Sequence, residues 1–270
     1  MRTLVCILAQ PRESAVVWDS FKTKVLDPLE ADLALSISTP EDLTNPFWQA
    51  AKYKWITPEY NNWLDAFEYA KETDFKEYTN DWKYQLVNND YNANWLSPIN
   101  NAPGAGAILI FYRWFLLHNL KKENLLDQYD RFIVTRSDYL YLRQHPPLEL
   151  LDPKLVWVPD GAYHGGITDR YAILSRENIE AYLSILKHVF NGNLYPRVMQ
   201  HQYKNLEAAV KNTLDIENVE IGTFPFFMYS VRSKDTPTRW GQGIWNEDLG
   251  YYIKYMEEYE KAHKTVLEST

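Results

Sequence analysis

The sequence predicts an α/β fold in which a mostly parallel central sheet of the Rossmann type is flanked by helices. Residues 3–37 follow the order strand, loop, helix and strand, and the right-handed crossover of such a unit makes its two strands parallel. Two later apolar runs, residues 129–135 and 155–158, each end in polar residues. Ligands of open α/β sheets bind outside the carboxyl ends of the strands, so we expect a site there.

The composition favours one domain over residues 1–270 and excludes some partners. A chain of 270 residues can bury a sizeable core. Its formal net charge is −8, without a basic block of the kind that follows a nucleic-acid backbone, so we expect no nucleic-acid partner. Cys6 is the only cysteine and lies in the first apolar run. This predicts a buried thiol and a reducing compartment.

The apolar runs do not predict a membrane segment. The first is too short for a signal peptide and is followed by Pro11. The longest, around residues 105–120, is interrupted by Arg113 and His118 and falls short of a membrane span. The sequence therefore predicts a soluble, cytoplasmic protein.

The first elements are a strand over residues 3–8, a helix over 15–29 and a strand over 32–37. Glu13 and Ser14 stand where they can cap and charge the start of the helix. Arg12 follows the first strand and is expected at its carboxyl end.

Residues 45–100 are predicted to form an insert of short helices and loops. Aromatic side chains are scattered here among polar ones without sustained strand alternation. The rings could form a wall on which a sugar stacks, or they could pack the insert onto the sheet. Packing is the better interpretation for most of them, since a segment this polar needs its rings to hold it in place.

A buried helix is predicted over residues 107–120, because this run is apolar on nearly every face. The turn-rich residues 100–106 precede it. Its N-terminus could approach a phosphate, and the same residues would also serve as a plain turn.

The apolar run that begins at Tyr129 ends in Thr135-Arg136-Ser137-Asp138. This places a cation and an anion together at the end of a predicted strand. Arg136 and Asp138 could bind a phosphate and its counter-metal, and a strand-end salt bridge is an equally good interpretation.

The run at 155–158 leads directly into a dense polar segment that holds Asp160, His164, Gly165, Gly166, Asp169 and Arg170. The functional interpretation is a substrate-binding loop. The alternative is that Asp169 and Arg170 form an internal ion pair and that His164 is only solvated.

The rest of the chain is predicted to hold helices over 177–190 and 195–214, a strand pair over 219–231 broken at Pro225, and a charged helix over 249–267 within the C-terminal segment 240–270. His164 could touch the acceptor, and Trp245, Glu247 and Asp248 could close the acceptor site. These last three could equally mark the start of the last helix.

Together these residues suit the transfer of a sugar from a nucleoside diphosphate. That reaction requires neutralisation of the leaving diphosphate and a base for the acceptor hydroxyl. Arg12 and Arg136 could hold phosphate, Asp138 could hold a metal, and Asp160 or Asp169 could be the base.

The order of motifs resembles the small GT-A glycosyltransferases, particularly those that large algal viruses encode for building capsid glycans. The resemblance covers about residues 1–40 and 103–190. It is carried by Gln10-Pro11-Arg12, by the buried helix, by the run 129–138 and by Gly165-Gly166-Ile167-Thr168-Asp169-Arg170-Tyr171-Ala172.

The resemblance implies a GT-A-like fold and a nucleotide-sugar donor, with UDP as the expected nucleotide. It implies that Asp138 binds Mn2+ or Mg2+ and the donor diphosphate, and that the nucleotide lies over the loop of Gln10 and Arg12. It also implies that the segment of Gly165 and Gly166 lies beside donor and acceptor and supplies a catalytic base of an inverting enzyme.

The sequence departs from the family pattern at one position. The family motif has two carboxylates, whereas here Arg136 leaves only Asp138. One carboxylate with diphosphate oxygens and water can still hold a hard cation. Alternatively, Arg136 replaces part of the metal's charge.

The sequence therefore predicts a cytoplasmic glycosyltransferase, in a host cell if it is viral, that moves a sugar from a UDP-sugar to a hydroxyl of a glycan acceptor with the help of a metal. A non-catalytic carbohydrate-binding protein that uses the aromatic insert is the alternative. A glycoside hydrolase with Asp160 and Asp169 is a third hypothesis, but it leaves Arg12 and Arg136 without a purpose.

Overall fold

A computed structural model describes residues 1–8, 12–38, 42–86, 94–235 and 241–267. The main feature is a seven-stranded sheet. Its strands are β1 (Thr3–Leu8), β2 (Asp32–Ile37), β3 (Tyr53–Ile56), β4 (Arg131–Thr135), β6 (Val156–Pro159), β7 (Ala172–Ser175) and β8 (Ile221–Phe224), whereas β5 (Tyr139–Tyr141) belongs to a second sheet.

The sheet has the order β3-β2-β1-β4-β7-β6-β8 and is mostly parallel, as predicted. Parallel pairs join β1 to β2 and β4, β2 to β3, and β6 to β8. Only β7 is antiparallel to its neighbours among the described strands of this sheet. The chain proceeds outward from β1 to β3 on one side and resumes with β4 on the other. The gap between β1 and β4 is therefore the topological switch point, where doubly wound sheets bind ligands.

A smaller antiparallel sheet has the order β10-β11-β9-β5, with β9 (Met228–Arg232), β10 (Ile244–Asn246) and β11 (Tyr251–Ile253). The predicted late strand pair exists, but its members β8 and β9 lie in different sheets. The predicted final helix was too long, because β11 occupies its first turn and the helix begins only at Met256.

The helices cover both faces of the central sheet. They are α1 (Ser14–Phe21), α2 (Asp27–Leu29), α3 (Pro46–Ala50), α4 (Trp63–Asp74), α5 (Gly106–Lys122), α6 (Ile179–Leu183), α7 (Ile185–Phe190), α8 (Tyr195–Val198), α9 (Leu206–Ile216) and α10 (Met256–Leu267). A π-helical turn, Lys22–Leu26, joins α1 to α2, so the predicted first helix is continuous. None of the helices in the described ranges is long and apolar enough to cross a membrane.

Glu13 does not cap α1 as predicted. It has φ 56° and makes no capping hydrogen bond with its side chain. Its Oε2 instead accepts a hydrogen bond of 2.9 Å from the backbone N–H of Ser233. The side chain therefore ties the start of α1 to the segment that follows β9.

The aromatic insert contributes to the sheet as well as to the helices. It contains α3, α4, two 3-10 turns (Trp82–Leu86 and Asn94–Leu96) and β3, and the sequence did not predict this strand. Six of its thirteen described rings are buried, including Phe47, Phe67, Trp82 and Trp95, and five more are partly buried and packed against the core. The packing interpretation is confirmed for these rings, although Tyr69 and Tyr84 are about half exposed, at 48% and 47%.

The core lies on both faces of the central sheet. One apolar cluster packs α4, α5, α6, α7 and α9 against one face, and the other packs α1 and the small sheet against the opposite face. The predicted buried helix is α5, whose Ile110 and Phe111 are fully buried. Cys6 is also fully buried as predicted, and burial raises the pKa of its thiol.

Candidate functional site

A cavity of about 270 Å³ lies at the switch point between β1 and β4. Its floor is formed by Leu8 at the end of β1 and by residues 134–138, which end β4 and follow it. One wall is the first half of α5, and the other is formed by residues of β9 and of the segment after β11. The cavity therefore opens where the sequence predicted a site.

The cavity is cationic although the chain as a whole is acidic. Six of its described lining residues are cations and three are acids, whereas the chain has a net charge of −8. The cations are Arg12, Arg113, Arg136, Arg170, Arg232 and Lys254, and the acids are Glu59, Asp138 and Asp169. Such a concentration of one charge in a concave site favours an anionic ligand.

Asp138 is held between two arginines. The Arg136 Nε and Nη2 donate to its Oδ1 and Oδ2 over 2.9 and 2.5 Å, and the Arg232 Nη1 also donates to Oδ2. The carboxyl is only 1% exposed. Burial opposes its ionisation, but the charges and hydrogen bonds of Arg136 and Arg232 outweigh burial and lower its pKa to about 2.

The local fold explains why these groups meet. β4 ends at Thr135 and β5 starts at Tyr139, so residues 136–138 form the link between the two sheets. The Val231 N–H donates to the Asp138 carbonyl over 2.9 Å, which aligns the adjacent Arg232 with this link. The Arg12 N–H donates to the Ser137 Oγ over 2.7 Å and joins the loop after β1 to the same place.

The predicted metal site does not fit the groups around Asp138. Both oxygens of this carboxylate accept hydrogen bonds from guanidinium groups. Glu59, another acid that lines the cavity, accepts a hydrogen bond of 2.9 Å from the Tyr112 hydroxyl. Within the described ranges, no three His, Cys, Asp or Glu side chains form a group suited to a metal ion. Mn2+ or Mg2+ would have to bind a carboxylate that already accepts three hydrogen bonds, in a cavity with an excess of cations.

Several buried guanidinium nitrogens have no hydrogen-bond partner among the described residues. Among the arginines that line the cavity they are the Nε and Nη1 of Arg113, the Nε of Arg232, and the Nε and Nη2 of Arg170, of which Nη2 is ion-paired with Glu258. A buried donor without an acceptor costs about 1–3 kcal/mol. Arg113 is only 2% exposed, and its Nη2 donates to the Asp169 carbonyl over 2.5 Å.

The surroundings of Lys254 disfavour its protonated form. Burial lowers its pKa first, and the neighbouring Arg232, Arg136 and Arg12 lower it further, so that its pKa is about 8 despite the opposing charge of Asp138. Its Nζ donates to the Gly241 carbonyl. An anion in the cavity would raise this pKa again.

Asp169 lines the cavity as predicted for a catalytic base, and its charge acts on a second carboxyl. This is Glu207, in the first turn of α9. Burial raises its pKa first, and the charge of Asp169 raises it further, to about 7 against the opposing charges of Arg170 and Arg113. A carboxyl with a pKa near 7 can exchange a proton near neutral pH.

Arg170 does not make its ion pair with Asp169. Its Nη2 lies 2.8 Å from the Glu258 Oε1 of α10, and its guanidinium lies 4.2 Å above the centre of the Tyr255 ring. The alternative in which Asp169 serves only as the ion-pair partner of Arg170 is therefore not favoured.

The other predicted base, Asp160, is exposed and does not line the cavity. Its Oδ1 accepts a hydrogen bond from the Tyr163 hydroxyl, and its carbonyl accepts one of 2.8 Å from the Lys261 Nζ. His164 is also exposed, and its carbonyl accepts a hydrogen bond of 2.8 Å from Asn205.

The two predicted donor-binding glycines lie outside the cavity lining and have packing roles. A Cβ on Gly166 would lie 2.0 Å from the Glu207 carbonyl oxygen. Gly165 has φ +86°, a backbone angle that residues with a side chain rarely adopt. The pair lets the loop pass close to α9 and so sets where Glu207 lies.

The acceptor-side candidates Trp245, Glu247 and Asp248 lie on β10 and the turn after it, not at a helix start. Lys234 lies 4.3 Å above the centre of the Trp245 ring. The other two are exposed, and none of the three lines the cavity. Gln10, predicted to bind the donor, lies outside the described residues, whereas Arg12, Arg136 and Asp138 meet as predicted.

The sequence did not identify Arg113, Glu207, Arg232 or Lys254 as site residues. A lone arginine in an apolar helix was a usable signal for Arg113, since burying this charge requires a partner. No local signal exists for Arg232, which is 94 positions from its partner Asp138. Glu207 resembles any acid in the first turn of a helix.

Comparison with known proteins adds no family to this description. No protein-family model matches the chain, and no curated protein matches it significantly. The cavity and its side chains are therefore the features of the protein that indicate its function.

Proposed function

We propose that the chain is a glycosyltransferase that moves a sugar from a nucleotide-sugar donor, with UDP as the expected nucleotide, to a hydroxyl of a glycan acceptor. The observation that carries this proposal is the cationic cavity at the switch point between β1 and β4. A nucleoside diphosphate is an anion of the class that such a site in an α/β sheet accepts.

The cavity has two kinds of wall, which suit the two parts of such a donor. Arg12, Arg136 and Arg232 form the polar side, where guanidinium groups could bind phosphate oxygens in pairs. The apolar side is formed by Trp63, Ile108, Leu109, Tyr112 and Val134. Aromatic rings there could stack on a base or a sugar. The volume of about 270 Å³ is close to the lower end of ligand pockets, about 300 Å³.

Asp169 is the proposed base in an inverting displacement. The acceptor hydroxyl attacks the anomeric carbon and loses its proton to the Asp169 carboxylate, while the bond from that carbon to the diphosphate oxygen breaks. The negative charge that develops on the diphosphate would be stabilised by the arginines, which are already in position before the reaction. The charge of Asp169 contributes to the raised pKa of Glu207, and a carboxyl with a pKa near neutrality can take up a proton at physiological pH.

The alternative functions receive less support. Eleven of the thirteen described rings of the aromatic insert are buried or packed partly buried against the core, which leaves few for the platform of a carbohydrate-binding protein. A hydrolase needs two acids that face one sugar, whereas Asp160 does not line the cavity with Asp169.

The proposal is tested by calorimetry with UDP and by release of UDP from a panel of UDP-sugars. UDP is expected to bind, and Asp169→Asn is expected to lower turnover by roughly 10² to 10⁴, the usual contribution of general base catalysis. Asp127→Asn changes an exposed acid in the same way and should leave turnover unaltered. Absence of UDP binding contradicts the proposal, and full turnover by Asp169→Asn contradicts the assignment of the base.

A further inference from the structure

We infer that the donor diphosphate is neutralised by arginine and lysine side chains of this chain, with no divalent cation between Asp138 and the phosphates. This inference rests on the proposed function and specifies how its donor site works. It follows from the partners of Asp138, from the charges that line the cavity and from the donors that guanidinium groups offer to phosphate.

Asp138 has little left to offer a metal ion. Its carboxylate has about four lone-pair sites, and three of them accept hydrogen bonds from Arg136 and Arg232. Arg232 is as buried as Asp138, at 2% side-chain exposure each, whereas Arg136 is 29% exposed. Removing Arg232 to admit a cation would leave a buried charge without its partner.

The cavity itself supplies positive charge for a diphosphate without a metal ion. Its described lining has three more cations than acids. A divalent cation normally provides this surplus in sites built from carboxylates. Here it would add to an existing surplus, and repulsion from the surrounding arginines would oppose its entry.

Arginine at the cavity surface can also bind the diphosphate directly. Arg136 lines the cavity, and its side chain is 29% exposed. Guanidinium groups bind phosphate oxygens through paired N–H groups. A diphosphate would supply acceptors for this side chain, and a metal ion would not.

The decisive experiment titrates the wild-type protein with UDP in a calorimeter, once in EDTA and once in excess Mn2+. We expect the two dissociation constants to agree within about threefold, less than the tenfold change that 1.4 kcal/mol represents. Release of UDP from the donor should likewise continue in EDTA. Binding that needs Mn2+ overturns this inference and leaves the proposed function intact. Binding in neither condition overturns the proposed function.

A pair of variants tests which charges hold the diphosphate. Arg12→Gln removes a cation from the cavity without touching the two arginines on Asp138 and is expected to weaken UDP binding about tenfold or more, as loss of a charged hydrogen bond does. Arg176→Gln is the matched control, since Arg176 is exposed beyond β7 and pairs with Asp130. Recovery of Arg12→Gln by Mn2+, or equal effects of the two variants, contradicts the inference.

Discussion

Asp138 and Glu207 are two partly or fully buried carboxyls near one cavity, and their proton affinities are shifted in opposite directions. Asp138 lies between Arg136 and Arg232, which lower its pKa to about 2. The pKa of Glu207 is raised to about 7 by burial and by the charge of Asp169. Burial disfavours ionisation of both, so the difference comes from the charges beside each carboxyl.

The two carboxyls are suited to different roles in the site. A carboxyl that stays ionised at every physiological pH can hold arginines in place but cannot exchange protons there. A carboxyl with a pKa near neutrality can exchange them. The Asp138 side of the cavity is therefore suited to binding anions, and the side of Asp169 and Glu207 is suited to moving protons.

Helix α9 shows that near neighbours, rather than position in a helix, set these shifts. Acids are usually stabilised at a helix N-terminus and destabilised at the C-terminus. Glu207 lies in the first turn of α9 and has a raised pKa. Glu217 follows the last turn, and Lys187 and His188 lower its pKa in spite of burial. Both shifts are opposite to the effect of the helix dipole.

The largest expected effect is that of Asp138→Asn on stability. This substitution leaves Arg136 and Arg232 without their buried anion, and breaking a buried ion pair costs about 3–5 kcal/mol. Denaturation in urea measures the loss. Asp130→Asn is the control, because this exposed aspartate pairs with exposed Arg176 and should cost less than about 1 kcal/mol. Equal losses would show that the Asp138 cluster does not stabilise the fold.

The next effect concerns Glu207→Gln and the pH dependence of stability. The folded pKa of Glu207 is above its ordinary value, so the folded state binds more protons and wild-type stability falls as pH rises from about 4.5 to 7. Glu207→Gln removes this fall, which amounts to at most about 3 kcal/mol. Urea denaturation at a series of pH values measures the difference.

Glu217→Gln is the matched control on the same helix. The pKa of Glu217 is lowered in the folded state, so its contribution is present above the ordinary pKa of glutamate and is lost as pH falls. The two variants should therefore change the slope of stability against pH in opposite directions. If both variants change this slope in the same direction, the opposite pKa shifts of Glu207 and Glu217 are contradicted.

The smallest expected effect is proton uptake by Lys254. Its pKa is about 8 in the free protein, and a bound diphosphate should raise it. Binding of UDP near pH 8 should then take up as much as about half a proton, and affinity should fall as pH rises further. Calorimetry in buffers of different ionisation enthalpy measures the uptake. It should disappear in Lys254→Met and persist in Lys154→Met, which alters an exposed lysine.

The sequence predicts the part of the site that local pattern determines. The strands β1, β2 and β4 and the helix α5 follow from apolar periodicity, and Arg12, Arg136 and Asp138 follow from their position after β1 and β4. β3 was missed because four residues in a polar, aromatic stretch give no usable alternation. Asp160 was predicted at the site because ligands bind at the carboxyl ends of strands. It lies elsewhere because β7 separates β6 from β4, so the end of β6 is away from the switch point.

The remaining site residues depend on contacts between distant parts of the chain. Arg232 reaches Asp138 because β9 pairs with β5 in the small sheet, and strand pairing over such a separation is not encoded in local periodicity. Lys254 arrives through β11, which pairs with β9. Glu207 acquires its raised pKa from burial and from the charge of Asp169, which lies 38 positions earlier in the sequence.

The fully buried Glu258 of α10 has a consequence for synthesis of the protein. It accepts hydrogen bonds from the Ser230 N–H over 2.9 Å and from the Tyr139 hydroxyl over 3.5 Å, and it pairs with Arg170. Chains fold from the N-terminus as they leave the ribosome. The charge of Arg170 is therefore not balanced by Glu258 until residue 258 has been synthesised. The cavity is therefore completed late in translation, and a nascent chain that stops before α10 should carry an unfinished site.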